Sequence, residues 1–166
     1  MNKEDYEKWL DSDEYTYHWR EIFFQGKELW NDYVQTHRGR KFVVDFVDLS
    51  YMDLSGFNFS QVDFSHVQLY QGKLIGCNLV ESRFHHCYLH EATLAGSNLI
   101  GAVLKKTSLH RTVLVGATFE NTTFDKCKLD RIIIDESNID GLKVQNDKII
   151  ITGIDFAKKY HWDINE

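Results

Sequence analysis

The chain has 166 residues, of which 43% are apolar, 14% aromatic and 27% charged, a composition that predicts one folded domain and excludes a disordered chain. No apolar run reaches the ~18 residues that a membrane-spanning helix needs. The formal net charge of -6 argues against indiscriminate binding to nucleic acid.

The first predicted unit comprises residues 1–41, which contain no repeat and carry three of the four tryptophans. Its opening residues, MNKEDYEKWL, mix charges with aromatic rings where a signal peptide needs an apolar stretch, so we expect a cytoplasmic location. Apolar and aromatic residues recur at helical spacing over residues 3–10 and about 13–36. Gly26 is expected to divide the longer segment and Gly39 to end it.

A period of five residues dominates the next part of the chain. From Val44 to Ile149 every fifth residue is apolar, over 22 positions, and most of them are Leu or Phe. A period of five fits neither the helix, with ~3.6 residues per turn, nor the flat strand, with a period of about 2. The pattern therefore predicts a backbone that turns a corner every few residues and sends one large side chain inward each time.

A second set of inward positions lies two residues before each member of the first. From Gly72 to Cys127 this set contains only small residues, which can pack beside large ones in a narrow core. The chain here resembles the pentapeptide-repeat family, whose motif is a small residue, Asp or Asn, Leu or Phe, and two polar residues. The motif stands as CNLVE (77–81), ATLAG (92–96), SNLIG (97–101), ATFEN (117–121) and SNIDG (137–141).

The resemblance implies an all-β solenoid, a right-handed quadrilateral β-helix with four pentapeptides, or about twenty residues, in each coil. Residues 42–154 would then form about five to six coils, stacked at the ladder spacing of ~4.8 Å. Proline is absent from the chain, as expected where nearly every amide must donate to the neighbouring coil. Residues 155–166 follow as a tail, which could form a short helix or join two copies of the chain.

The N-terminal segment is expected to cover one end or one side of the solenoid. An open end exposes unpaired backbone and bare core, which invites aggregation. A helix that docks a partner is the alternative. The residues assigned to either role are Trp9, Trp19, Phe23, Trp30 and Tyr33.

The three cysteines have a structural explanation. Cys77, Cys87 and Cys127 all fall on the small inward position, so we expect buried, reduced thiols in a reducing compartment. No CxxC motif supports a structural zinc site. We predict neither a metal nor another cofactor.

Basic residues and histidines gather on one side of the predicted rod and its corner. The residues assigned to this basic surface are His66, Arg83, His85, His86, Lys105, Lys106 and Lys126. His90 and His110 form a second pair on the neighbouring side. Stacked imidazoles ~5 Å apart could hold a transition metal, although solvated turn positions explain them more simply.

An apolar stripe occupies the third and fourth sides, at positions that should face solvent. Its members are Ile75, Val80, Ile100, Val113, Val115 and Ile133. Such a stripe indicates a covered surface. Three covers are open: the N-terminal helices, a second copy of the chain, or another protein.

The sequence predicts a non-catalytic scaffold that binds another protein. No nucleophile–base arrangement, glycine-rich phosphate loop or carboxylate pair with a cleft is evident, so no catalytic residue is assigned and we expect no enzyme. Direct nucleic-acid binding through the basic surface is a weaker alternative.

The family resemblance adds a further alternative. Some members of the family protect or inhibit DNA gyrase or topoisomerase IV by imitating duplex DNA, and so confer quinolone or toxin resistance. Such mimicry requires dense negative charge along the rod. This chain departs from the pattern, because residues 42–154 carry 13 acidic against 10 basic residues and no projecting loop interrupts the register.

Overall fold

The computed structural model describes residues 19–39, 42–134 and 143–145, the last of these for the backbone alone. Two helices, α1 (Trp19–Phe24) and α2 (Lys27–Thr36), precede the solenoid. Six strands follow: β1 (Phe42–Asp45), β2 (Val62–Ser65), β3 (Arg83–His85), β4 (Val103–Lys105), β5 (Thr123–Asp125) and β6 (Lys143–Gln145). The helix predicted over residues 3–10, with Trp9, and the tail 155–166 lie outside the described residues.

Each strand pairs in parallel with the strand twenty residues later, and the strands form one six-stranded sheet in chain order. The register does not shift, since Val44 pairs with Phe64, Phe64 with Phe84 and Phe84 with Leu104. Three further ladders of single bridges begin at Asp48, Asp53 and Asn58 and repeat at the same interval. The fold is therefore the right-handed quadrilateral β-helix that the sequence predicts.

The number of coils is slightly smaller than predicted. The solenoid makes about four turns in the described part of the chain, against the expected five to six. Residues 135–142 and 146–154, where the remaining repeats were expected, lie outside the described residues.

We number the four sides 1 to 4 in chain order and call the corners that follow them A to D. One residue at each corner has a positive φ, between 45° and 63° at the non-glycine positions of the rod. Corner A contains Phe46, His66, His86, Lys106 and Lys126; corner B contains Tyr51, Gln71, Glu91, Arg111 and Arg131; corner C contains Gly56, Gly76, Gly96 and Gly116; corner D contains Gln61, Glu81, Gly101 and Asn121. In a four-sided cross-section, corners A and C are diagonally opposite.

The large inward residues fill the interior of the rod. From Val44 to Leu129 each member of the five-residue series is at most 2% exposed. Phe64 and Phe84 stack across neighbouring coils with ring centroids 4.6 Å apart. The predicted inward columns are thus confirmed, and they leave the outward surfaces to carry function.

The small inward residues also satisfy buried carbonyl groups. Ser97 Oγ donates to Leu74 O at 2.5 Å and Thr122 Oγ1 donates to Leu99 O at 2.6 Å, each reaching 23 residues back along the chain. A buried carbonyl left without a donor would cost about 1–3 kcal/mol. Serine, threonine and cysteine therefore share this position with alanine and glycine because their side chains can donate at short range.

The cysteines follow the same pattern. Cys77 Sγ donates to Leu54 O at 3.1 Å, and all three thiols are buried, as the sequence predicts. Burial raises the pKa of both Cys77 and Cys87 to about 11. These two thiols therefore stay protonated and weakly nucleophilic at neutral pH.

The helices α1 and α2 cover the N-terminal end of the rod. No coil precedes the first one among the residues that the structure describes, and side chains of α2 occupy the place of such a neighbour. The indole N–H of Trp30 donates to Asn58 O at 2.7 Å, and the side chain of Asn31 accepts from Asn58 N at 2.6 Å. Asn31 also donates to Gly56 O at 3.0 Å. These bonds fix the helices on side 4 and corner C of the first coil.

Aromatic packing seals the junction between the helices and the rod. The ring of Phe23 lies 5.3 Å from that of Phe57 and 6.2 Å from that of Phe59, measured between centroids. We call the two helices that cover this end the cap. Four of the five residues assigned to the N-terminal covering segment are buried here: Trp19, Phe23, Trp30 and Tyr33. Their burial places them in the core and leaves no exposed aromatic face on these four side chains for a partner.

Candidate interaction surfaces

The depressions that the described residues form lie on the outside of the rod. One of about 420 Å³ runs along corner D, from Gln61 past Glu81 to Val103. Another of about 570 Å³ separates α1 from side 3 of the first coil, between Phe24 and Leu54. Both are bordered by the cap or by charged corner residues.

An apolar column borders corner C. It consists of Ile75, Ala95 and Val115, which follow one another at one-coil intervals, and we call it the corner-C column. Ile75 is 45% exposed and Val115 is 41% exposed, while nearby on side 3 Ile133 is 54% exposed. The other members of the predicted stripe, Val80, Ile100 and Val113, are half-buried. The stripe is therefore narrower than the sequence suggests.

Corner C has no side chain at its positive-φ position, because that position is glycine. Corners A, B and D hold side chains such as His66, Gln71 and Asn121 at positive φ, so the fold does not require glycine at such a position. A Cβ built on Gly76 or Gly96 would meet nothing within 4 Å, so packing does not require it either. The row of glycines leaves exposed backbone beside the corner-C column, to which another surface can approach closely.

The described helices do not cover the corner-C column. They lie over the first coil, where Lys27 reaches Gly56, and Ile75 and Val115 belong to later coils. The described part of the first candidate cover, helices α1 and α2, therefore does not lie on this column, while the helix predicted over residues 3–10 lies outside the described residues. A second copy of the chain and another protein stay open as covers.

The predicted basic surface is divided by ion pairs between coils. Arg83 lies 3.8 Å from Asp63, and Lys105 lies 3.7 Å from Asp125. These cations are therefore partly neutralised by acids one coil away. Lys106 and Lys126, at corner A, are exposed, and no ion pair involves them within the described residues.

An aromatic stack extends corner A toward the cap. Phe46 and His66 stack with centroids 4.7 Å apart, and His66 and His86 stack at 5.1 Å with nearly parallel planes. The ring of His85 is also close, with its centroid 4.4 Å from that of His86. The predicted histidine pair is thus in contact, and Lys106 occupies the same corner in the next coil.

The histidines do not assemble a metal site in the part of the chain that the structure describes, where no three potential ligands converge. His90 Nε2 instead lies 2.6 Å from Ser108 Oγ, in a hydrogen bond across coils, and the rings of His90 and His110 are 5.3 Å apart. These contacts can be explained as packing between coils.

Acidification is expected to destabilise the rod through His85 and His86. Partial burial, followed by the charges of His85 and Lys106, lowers the pKa of His86 from its ordinary value of 6.5, and burial, followed by Lys106, lowers that of His85. The unfolded chain then binds protons at higher pH than the folded one, so stability is present above about pH 6.5 and is lost as pH falls below it.

Thermal melts at about pH 7.5 and 5.5 measure this loss, since carboxylates remain ionised over that range. The variant His86→Asn keeps a residue that tolerates positive φ and should show a smaller difference in melting temperature. An unchanged difference would mean that other groups cause the pH dependence.

Sequence reasoning missed two features of the surface. Phe46, Tyr51 and Tyr88 are 73%, 68% and 49% exposed, and all three lie on side 2 or its corners. The row of glycines at corner C was also missed. Reading the outward positions at intervals of twenty residues would have revealed both.

No helix among the described residues combines the length and apolar character needed to cross a membrane. Two family models match the chain. One, described as a pentapeptide repeat region, matches residues 68–144, and the other, described as pentapeptide repeats (8 copies), matches residues 45–79. A comparison with curated proteins found no match.

Three solved structures are similar to the chain, and the first of them supports the fold. The chain is similar to Rfr23, a pentapeptide repeat protein from the cyanobacterium Cyanothece 51142, with a TM-score of 0.52 and 19% identity over 72% of this chain and 96% of that one. A pentapeptide repeat protein from the thylakoid lumen of Arabidopsis thaliana gives a TM-score of 0.41 and 29% identity over 49% of this chain and 60% of that one. QnrB1, a plasmid-mediated fluoroquinolone resistance protein, gives a TM-score of 0.36 and 12% identity over 73% of this chain and 99% of that one.

Proposed function

The chain belongs to the pentapeptide-repeat family, and we propose that it is a non-catalytic scaffold that binds another protein through the corner-C column. The filled interior supports this proposal, because side chains occupy the space that a ligand pocket inside the rod would need. Function is then carried by outward residues that the repeat leaves free to vary.

The observation that carries the proposal is the exposure of Ile75 and Val115 beside a row of glycines. Exposed apolar side chains cost free energy in water, and burying them against a partner recovers about 25 cal/mol per Å². The bare backbone at Gly76 and Gly96 lets a partner approach closely enough to contact both side chains. A rigid rod also loses little conformational entropy on binding.

The proposal places the protein in the cytoplasm. Buried cysteines that stay as thiols suit a reducing compartment. A second copy of the chain is another candidate for the corner-C column, and affinity capture separates it from a different protein.

Affinity capture with two baits tests the proposal. The wild-type chain and the variant Ile75→Glu/Val115→Glu are expressed in the source cell, and captured proteins are compared by mass spectrometry. We expect one protein to be captured by the wild type and lost with the variant. Both substituted positions are over two-fifths exposed, so the variant should still fold, which a thermal melt would show.

The matched control is Gln68→Glu/Thr123→Glu, which adds the same charge on sides 1 and 2. It should capture the same protein as the wild type. Equal capture by all three baits would contradict binding through the corner-C column, and capture of the chain itself alone would identify a second copy.

A DNA-mimicking protector or inhibitor of gyrase or topoisomerase IV is the second candidate. The charge of the rod does not favour DNA mimicry, which requires dense negative charge, because residues 42–134 carry nine acidic and eight basic side chains. We expect no change in gyrase-catalysed supercoiling when the chain is added. Inhibition of supercoiling, or relief of quinolone inhibition, would promote this candidate over the scaffold.

A further inference from the structure

Charge is distributed unevenly along the rod. Residues 42–81 carry five acidic side chains and one basic, whereas residues 82–134 carry four acidic and seven basic. The basic excess is concentrated on side 2 and its two corners in the later coils. We call this group the cationic surface: Lys106, Arg111, Lys126, Lys128 and Arg131, all of them exposed. Asp130 lies among them, and Glu91, one coil before Arg111, pairs with that arginine at 3.2 Å.

The cationic surface breaks a rule that the rest of the rod obeys. Elsewhere, charged side chains one coil apart carry opposite signs, as in Lys73 with Asp53 at 3.8 Å and Arg83 with Asp63 at 3.8 Å. At corner A, Lys106 and Lys126 follow each other with the same sign and with His86 above them. Like charges in register on adjacent strands are destabilising.

The backbone conformation of these two lysines does not favour lysine, and it is shared by the other non-glycine corner residues. Lys106 and Lys126 have φ of 52° and 54°, in the left-handed region that glycine and asparagine adopt at lower cost. Asn121 occupies the equivalent conformation at corner D. Neither the backbone nor the inter-coil pairing thus accounts for lysine here, and such local conflicts are typical of functional sites.

We propose that the cationic surface binds a short acidic segment of a partner polypeptide. An extended peptide with carboxylates on alternate residues presents them about 7 Å apart along one edge. Lys106, Lys126 and Lys128 lie within two adjacent coils, so a few such carboxylates suffice to neutralise them. Tyr88, half exposed one coil before Ser108 on the same side, borders the surface and can pack on the peptide.

A peptide fits the surface better than a nucleic acid does. A nucleic-acid strand carries charge along its whole length and would continue past the cationic surface over the acidic first two coils. Residues 42–81 would repel it, since five of their six charged side chains are acidic. A short segment can end before that region.

The two corner-A lysines of the cationic surface, Lys106 and Lys126, lie diagonally opposite the corner-C column. Corner A and corner C are diagonal, so a partner at one does not block the other. This inference goes beyond the proposed scaffold role and does not depend on it, because Ile75→Glu/Val115→Glu should bind an acidic peptide as the wild type does. The rod would then join two partners of different surface chemistry.

Fluorescence anisotropy with a labelled peptide of alternating glutamate and serine tests the proposal, at salt on the order of 25 mM to limit screening. The full chain should bind this peptide and should not bind its glutamine–serine counterpart. Lys106→Asn/Lys126→Asn should weaken binding by about tenfold or more. Asparagine suits the left-handed backbone, so this variant should melt no lower than the wild type.

The matched control is Lys73→Asn/Arg83→Asn, which removes two positive charges outside the cationic surface. It should change the affinity by less than about twofold. Lys126→Gln alone, with an expected loss of about threefold, replaces the double variant if that one does not fold.

Three results would overturn the proposal. The first is absence of binding at low salt, and the second is an equal loss in both double variants, which would indicate attraction by net charge alone. The third is tighter binding of a labelled oligothymidylate than of the peptide, weakened by the same lysine substitutions. That result would identify the cationic surface as a nucleic-acid site.

Discussion

Replacing Trp30 with alanine is expected to lower the free energy of unfolding by about 3–5 kcal/mol, as for other buried aromatic residues. The side chain is 0% exposed, and its ring lies 5.3 Å from that of Phe23 and 5.8 Å from that of Phe59 between centroids. Its N–H also supplies a donor to Asn58 O. The substitution would open a cavity at the point where the helices join the rod. Equilibrium unfolding in urea measures the loss.

Two variants separate the causes of this loss. Trp30→Phe keeps most of the ring and removes the N–H, and we expect a loss of about 1–3 kcal/mol because the carbonyl of Asn58 loses its donor. Leu29→Ala alters a neighbouring side chain that is 40% exposed and should cost less than about 1 kcal/mol. If Trp30→Ala cost as little as Leu29→Ala, the helices would not stabilise the end of the rod.

Replacing Leu94 with alanine is the second large effect, with an expected loss of about 2–5 kcal/mol. Leu94 is 0% exposed and lies in one inward column with Leu74 and Leu114, one coil to either side. Its amide donates to Val113 O at 2.7 Å, and the ladder holds the backbone in place on both sides. The coils cannot move together to fill the cavity, so the loss should lie toward the upper part of that range.

The control for Leu94→Ala is Ile75→Ala, which shortens an outward side chain that is 45% exposed. It should cost less than about 1 kcal/mol, since little apolar area is uncovered. Equal losses at the two positions would contradict the assignment of inward and outward columns. Denaturation curves of both variants measure the two losses in the free energy of unfolding.

The inward columns could be predicted because the fold imposes them directly on the sequence. Each side of the rod admits one large side chain and one small one, so Leu94 and Ala92 repeat their chemical character every five residues. The pairing of Phe64 with Phe84 follows from four such sides per coil. The register, the core and the buried thiols could therefore be predicted from the sequence.

The cap was only partly predictable. Its aromatic residues were identified, but their docking site was not, because docking depends on contacts between segments that share no repeat. A signal was present in Phe42, Met52 and Phe57, where large residues occupy inward positions that are small in later coils. Phe42 and Phe57 face the rings of Trp30 and Phe23. Large residues at the small position thus mark the capped end.

The exposure and ion pairing of the outward residues could not be predicted as reliably from the sequence. The predicted apolar stripe gave equal weight to Ile75 and Val80, and the structure exposes the first and half buries the second. The predicted basic surface included Arg83 and Lys105, which lie near acids of adjacent coils. Exposure and pairing depend on side-chain directions at the corners, which the five-residue period does not specify.

Site-specific photo-crosslinking tests the central claim, that the protein acts by binding another protein at corner C. A benzophenone side chain replaces Ala95, in the middle of the corner-C column, and in a control it replaces Thr123 on side 1. We predict one crosslinked product with a different protein in the source cell, formed from position 95, absent from position 123 and lost with Ile75→Glu/Val115→Glu. No product from position 95, or only a product at twice the chain mass of 19.5 kDa, would contradict the claim.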